Sequence, residues 1–512
     1  MRNLRSSGDL RASPAQRRRD GAILLGIVLL AAGSSLYALG RKGLWYDEIT
    51  SVQLAEQSWH TVWRSVTTYE MNMGLYNIIL WAWLRTGGGD GYARLPSVAF
   101  AVASVPLVWL SARRLFGARV AHTAALLLAV SGFFVEYAQE ARAYSLLLLA
   151  VAVSMYAVVR IIETPAQRWV IVFIAATVVG VYAHFFMALV TAAELGSLAI
   201  LPQKKVHWKW LAPGLGALTV LLIPLALHLR SKGGSQIAGF PPLHPREIAR
   251  VGKVLVGGRE GVPKDRNSWA DPRLELLALE GLAVVAFYAT GYRAIRQRSS
   301  DAWSYLLVGS CFALPFVVSI FISYTLQPVF EARYFIVSLP PLVIMVGVAV
   351  ERWLTTRWAL VTVALTLLLS CASLARWYGH DQKEEWRPAV TTVLAGAPPG
   401  EAIFFMEGSA WGAFDFYADR IGLRYRPTMV YPTETWHSFV EGAVPVPRFD
   451  ETSLDALTRG HDRLWLVLSH DSFTVGMKEQ TQIVDRYLRR HYRLSEAHDF
   501  TGVRVRLFVH AS

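Results

Sequence analysis

The stretch GAILLGIVLLAAGSSLYALGRKGLWYDE, residues 21–48, passes from a long apolar run directly into Trp45, Tyr46 and the adjacent carboxylates Asp47 and Glu48. A run of that length crosses a hydrocarbon core about 30 Å thick. Acids near hydrocarbon are rare, because each costs about 2.5–3.5 kcal/mol at a helix centre on insertion scales. Two of them at the exit of a first span read either as the start of a solvated loop or as a candidate catalytic pair at the membrane boundary.

Outward from this stretch the same pattern recurs. The chain has 512 residues, 53% hydrophobic and only 17% charged, a composition of a polytopic membrane protein. Spans are predicted at 21–40, 93–112, 120–135, 143–162, 168–184, 186–201, 211–229, 274–291, 303–323, 335–351 and 358–376. The fold class is an all-α polytopic membrane domain of about 11 transmembrane helices followed by a C-terminal soluble α/β domain. The domains are a tail over 1–20, a membrane domain over 21–376 and a soluble domain over 377–512. The basic start followed by residues 21–39 has the outline of a signal peptide. The run is longer than a usual h-region and more spans follow, so it is taken as an uncleaved first span. Cys311 and Cys371 fall inside predicted spans and carry neither a disulfide framework nor a metal site.

Short loops fix the expected orientation, because Lys and Arg near a span resist translocation. Arg2, Arg5, Arg11 and Arg17–Arg19 precede the first span; Arg113, Arg114 and Arg119, then Arg160 and Arg168, then Lys204, Lys205 and Lys209 mark alternate loops. Arg293, Arg296 and Arg298, then Arg352 and Arg357 continue the alternation. These loops are expected on the cytoplasmic side of the cell membrane. The net charge of +13 is therefore largely topological, and nucleic acid is excluded as a partner. The opposite, extracytoplasmic face receives 41–92, 136–142, 230–273, 325–334 and the soluble domain.

The chemistry-bearing residues collect on that face. Residues 49–66 place Ile49, Val52, Trp59, Val62, Trp63 and Val66 at helical spacing, predicting one helix in the interface plane. The turn Glu136-Tyr-Ala-Gln-Glu140-Ala-Arg142-Ala-Tyr144, if helical, sets Glu136 and Glu140 on one face. A turn so short does not need two acids and an arginine for solubility, although Glu140 and Arg142 are also able simply to neutralise one another. Arg94, His184 and Arg333 stand at the outward ends of other spans. The segment 230–273, rich in Gly, Pro and basic residues, is long enough to be a functional loop. Residues 377–512 carry short β-rich runs at 402–405, 464–468 and 503–509 and polar helical patterns at 384–395 and 474–491.

Taken in order, these motifs resemble the GT-C superfamily of integral-membrane glycosyltransferases, in particular the family-39-like branch related to protein O-mannosyltransferases and the lipid A aminoarabinose transferase. The residues that carry the resemblance are Leu44-Trp-Tyr-Asp47-Glu48, Tyr92-Ala-Arg94-Leu-Pro-Ser with the following Ala-Arg-Arg-Leu-Phe-Gly, and Gln139-Glu140-Ala-Arg142-Ala-Tyr144. Tyr182-Ala-His184-Phe-Phe, Glu331-Ala-Arg333-Tyr-Phe-Ile and Glu385-Trp-Arg387 complete the set.

The resemblance implies inverting transfer of a sugar from a polyprenyl-phosphate donor to a lipid, polysaccharide or protein acceptor on the extracytoplasmic face. The family's base maps to Asp47, with Glu48 beside it. Arg94, Arg333 and Arg142 are assigned to the donor phosphate, whose growing charge needs cations. Glu140 and His184 are assigned to orient these groups or to hold a divalent ion. Some relatives bind a metal and others manage with arginines; by ligand type Asp47, Glu140 and His184 suit a hard or borderline cation. No Asp-x-Asp and no Gly-rich phosphate loop is present, so no nucleotide is expected. The position of the soluble domain departs from the protein O-mannosyltransferases. Trp386 and Arg387 are assigned either to the rim of the site or to a staple between domains. A carrier or flippase for lipid-linked sugars stays open as a second class.

Overall fold

The computed structural model describes residues 13–200, 206, 208–232, 242–259, 271–379, 383–422, 426–433, 446–471 and 475–510. Helix α1 (Pro14–Leu36) begins at Ser13, whose hydroxyl accepts from the Gln16 amide at 3.2 Å, with Pro14 in the first turn. Three short helices follow, α2 (Tyr46–Glu56), α3 (Trp59–Thr68) and α4 (Gly74–Leu84). The single helix expected over 49–66 is thus two. Ser58 breaks it, its hydroxyl capping the Thr61 amide at 3.3 Å to start α3.

The bundle continues with α5 (Asp90–Phe116), α6 (Ala118–Val130), α7 (Gly132–Ala138), α8 (Tyr144–Glu163), α9 (Gln167–Ala183), α10 (Met187–Ile200) and α11 (Trp208–Lys232). After α12 (Pro245–Gly257) come α13 (Pro272–Arg296), α14 (Ala302–Thr325), a 3-10 turn (Ala332–Ser338), α15 (Leu339–Trp353) and α16 (Thr356–Gly379). Among the described residues, eight helices are long and apolar enough to cross a membrane. The pair α6 and α7 makes a further span bent by 58°, and α9 and α10 are shorter apolar helices. Each of the eleven expected spans therefore has its helix, and the chain is a multi-pass membrane protein. The segment 230–273 contains α12, which was not anticipated; residues 233–241 and 260–270 lie outside the described residues.

The bend between α6 and α7 depends on a close approach. A Cβ on Gly132 would lie 2.4 Å from the Gly257 carbonyl oxygen, so only glycine lets the end of α12 reach α7. Gly258 then turns the chain with φ +80°, a region other residues avoid, and delivers Arg259 beside Glu136.

The C-terminal part is a five-stranded sheet with helices on both faces. Its elements are α17 (Trp386–Gly396), β1 (Ala402–Phe405), α18 (Ala410–Ile421), β2 (Thr428–Tyr431), α19 (Glu451–Thr458), β3 (Arg463–Leu468), α20 (Val475–His491), β4 (Tyr492–Phe500) and β5 (Val503–His510). The strand order is β2-β1-β3-β5-β4, with β1 parallel to both β2 and β3, and β5 antiparallel to β3 and β4. β1 and β3 are buried on both faces, as near-continuous apolar runs require. One face packs Phe404, Leu464 and Leu466 against Leu454, Val484 and Leu488. The other packs Phe405, Trp465 and Val467 with Trp386, Val390 and Phe414, in a core continuous with that of the membrane domain. The sheet is therefore seated on the bundle through α17 and α18.

Candidate active site

Ion pairs and hydrogen bonds tie together the segments expected on one membrane face. Helix α2 starts immediately after Trp45, so its first turn holds Asp47 and Glu48 where backbone amides favour negative charge. The two carboxylates are neighbours in sequence and face opposite environments.

Glu48 is fully buried. Arg94, on the first turns of α5, grips it with a fork: Nε donates to Oε1 at 2.8 Å and Nη2 to Oε2 at 2.7 Å. The Ala141 amide adds a third bond to Oε1 at 2.8 Å. Arg94 spends its remaining donors on the carbonyls of Leu39 (2.8 Å), Lys42 (2.9 Å) and Gly43 (2.9 Å). All five guanidinium N–H groups are thus used. Arg94 was expected on the donor phosphate; it lies 2% exposed, has no donor left for one and instead knits the first loop together. Burial pushes the Glu48 carboxyl up, but Arg94 and then Lys383 outweigh it and hold it below the usual range.

Asp47 is half-buried, 23% exposed. Its Oδ2 accepts from Arg333 Nη1 at 2.7 Å and lies 3.9 Å from Arg142 Nη2. Burial raises its pKa, but Arg142 and Arg333 together, with His470 and Arg259 behind them, hold it below the ordinary value. Arg142 also bonds the Asp47 carbonyl (3.3 Å) and Ser51 Oγ (2.8 Å). The Nε atoms of Arg142 and Arg333 are buried with no hydrogen-bond partner among the described residues, as is Nε2 of His184. His184 packs against Tyr334 with ring centroids 4.5 Å apart, and its Nδ1 accepts from the Phe186 amide at 3.3 Å. Around Asp47, then, are donors held in place but unspent.

Glu136 and Glu140 do not share a helix face, because α7 ends at Ala138. Glu136 meets Arg259, whose Nε is 3.1 Å from Oε1 and whose amide donates to Oε2 at 2.8 Å. Glu140 points the other way, accepting from Lys383 Nζ at 3.0 Å; the same ammonium is 3.9 Å from Glu48 Oε2.

The metal expectation does not fit this arrangement. Asp47 is engaged by Arg333, Glu140 by Lys383, and His184 sits in an aromatic cluster. Among the described residues no group of three or more His, Cys, Asp or Glu side chains is placed to hold an ion.

Several neighbours of the site escaped the sequence reading. Glu70, between α3 and α4, is pushed up by burial, with Arg142 opposing and Asp47 adding to the rise. Arg259, Lys383, Glu384 and His470 also converge here. Only Lys383-Glu384-Glu385 carried a signal, as charges crowded directly after the last span. Arg387 pairs with Asp90 at the start of α5, and Trp386 is buried, its Nε1 donating to Glu384 at 2.8 Å. Arg387 joins the domains through Asp90, and Trp386 does so through Glu384, whose Oε2 also accepts from the Tyr46 amide at 3.0 Å.

Comparison with known proteins gives the same architecture. Over 94% of this chain and 97% of the other, the structure matches that of ArnT from Cupriavidus metallidurans in the apo state, with TM-score 0.59 at 15% identity. ArnT from the same organism bound to undecaprenyl phosphate matches over the same shares with TM-score 0.54 at 14% identity. At these identities the likeness shows that the two chains share a fold. Residues 73–229 also match the family model described as dolichyl-phosphate-mannose-protein mannosyltransferase. No curated protein sequence matches the chain. The match runs from α4 into α11 and so includes Arg94, Glu140, Arg142 and His184.

Proposed function

We propose that the protein is an inverting glycosyltransferase that moves a sugar from a polyprenyl-phosphate donor to an acceptor hydroxyl or amine at the extracytoplasmic membrane face. One observation carries this reading: a half-buried carboxylate, Asp47, stands 2.7 Å from Arg333 and 3.9 Å from Arg142, and each arginine keeps a buried Nε–H with no partner among the described residues. A lone structural ion pair does not need a second arginine or idle donors. A lipid phosphate does, since charge builds on its oxygen as the bond to the anomeric carbon breaks. The undecaprenyl phosphate held by the similar ArnT structure supports a donor of this chemistry.

In this reading the acceptor attacks the anomeric carbon, its proton passes to an Asp47 oxygen, and the sugar–phosphate bond breaks to release polyprenyl phosphate. Arg333 and Arg142 meet the leaving phosphate. While paired to Arg333, Asp47 is ionised but weakly basic. A donor phosphate that draws Arg333 away strengthens the base at the moment it is needed. Glu48 and Arg94 hold the loop that carries Asp47, and His184 offers beside the arginines an Nε2 that has no partner among the described residues.

The test is release of polyprenyl phosphate from a panel of polyprenyl-phosphate sugars with acceptors, comparing wild type with Asp47→Asn. Release that requires both acceptor and Asp47 is expected. Donor binding without release in the wild type, across the panel, would favour the carrier.

A further inference from the structure

The soluble domain presents a particular edge to Asp47. In the order β2-β1-β3 the chain leaves β1 for one side and returns on the other, so the carboxyl ends of β1 and β3 form a topological switch point. Glu407 and Ser409 follow β1 there, and Ser469 and His470 follow β3. The crevice outside such strand ends is where open α/β sheets place functional side chains. Here those strand ends pack directly against the first turn of α2.

The contacts across that edge are specific. Tyr46, the residue before Asp47, stacks edge-on against His470 with centroids 5.3 Å apart. Its hydroxyl donates to Ser409 Oγ at 2.5 Å, and Ser409 in turn bonds Glu407 at 2.7 Å. Glu384 binds both sides: Oε1 lies 3.0 Å from His470 Nε2, and Oε2 accepts from the Tyr46 amide at 3.0 Å. His470 adopts φ +54°, a left-handed conformation that costs energy in a non-glycine residue and persists where its surroundings enforce it.

We propose that His470 is a positioning residue of the transferase site: through Glu384 and Tyr46, the soluble domain fixes the first turn of α2 and with it the Asp47 carboxylate. This rests on the transferase reading above. Burial pushes the His470 imidazole down, but Glu384 outweighs it, with Glu407 and Asp47 adding, and its pKa is raised to about 9. These three carboxylates face it from the linker, the β1 end and α2; Asp471 beside it is engaged by Arg504. The imidazolium is therefore charged through neutral pH and discharges as pH rises through about 9.

Two measurements on full-length protein in detergent test this. Hydrogen exchange of the peptide 44–56 reads the latch without any activity: His470→Gln should speed exchange at Tyr46, whose amide bonds Glu384. Steady-state turnover reads the consequence: His470→Gln should lower kcat about 10- to 100-fold, as misplacement does, with donor affinity kept. His470→Lys should restore turnover and move the alkaline limb upward from about 9, since an ordinary lysine titrates near about 10.4. Unchanged exchange, or wild-type kcat in His470→Gln, overturns the proposal. An inactive wild type overturns the transferase reading instead, and the exchange result still decides whether His470 holds α2.

Discussion

Arg94 and Glu48 form a two-bond fork, 2.8 and 2.7 Å, with both side chains almost fully buried. The pair closes the loop 39–48 onto α5, and its neighbours Leu39, Lys42 and Gly43 depend on the same guanidinium. Arg94→Met strands a buried carboxylate and three carbonyls. The expected loss is about 3–5 kcal/mol of stability, seen as a lower unfolding midpoint in detergent. Arg94→Lys should recover little, because a lysine has no planar fork. Full stability with lost turnover would instead return Arg94 to the donor phosphate.

If Asp47 is the base, as proposed, Arg142 and Arg333 should set the acid limit of the reaction. Both lower the Asp47 pKa, so this carboxylate stays ionised below the usual range. Arg333→Gln removes the nearer cation; burial, which pulls the other way, then counts for more, and the pKa rises. The acid limb of kcat/KM should move to higher pH, and donor affinity should fall. An acid limb that stays in place would mean that Asp47 is not the titrating base.

Much of the membrane fold was legible because a span is a one-dimensional signal: about twenty apolar residues suffice. Even so, the 58° bend after Val130 and the break at Ser58 were missed, since each depends on a cap or a close glycine contact. In the soluble domain β1, β3 and β5 stood out as apolar runs. β4, with its mostly solvent-facing pattern, and the four-residue β2 did not. The site divides in the same way. Asp47, Arg142 and Arg333 were marked by their place at span ends. The burial of Arg94 was not, because an arginine at a boundary looks alike whether it faces a ligand or five internal acceptors. His470 lies 423 positions from Asp47 (470 minus 47), and no local pattern foretells that meeting.

Metal removal gives a direct check on the residues first grouped as ligands. Asp47, Glu140 and His184 each have other neighbours and do not form one cluster. Turnover in buffer with excess EDTA should match that in buffer with added magnesium or manganese. A rate lost on chelation and restored by one of these ions would show that the three regroup around a cation when donor binds.

Lys383 carries the last of these predictions. It is 4% exposed, follows the final span, and places one ammonium 3.0 Å from Glu140 and 3.9 Å from Glu48. Buried charge of this kind is costly to leave half-paired, so Lys383→Met should destabilise the protein by about 3–5 kcal/mol. Glu140→Gln alone leaves the ammonium with the more distant Glu48 and should cost less. Because the two residues touch, their effects should not add: a double-mutant cycle should give a coupling of about 0.5–3 kcal/mol. The double variant would then unfold later than the sum of the single losses requires. Simple additivity would show that Lys383 is held by its packing between Trp45 and Trp377, each ring centroid 5.7 Å away, and not by the carboxylates.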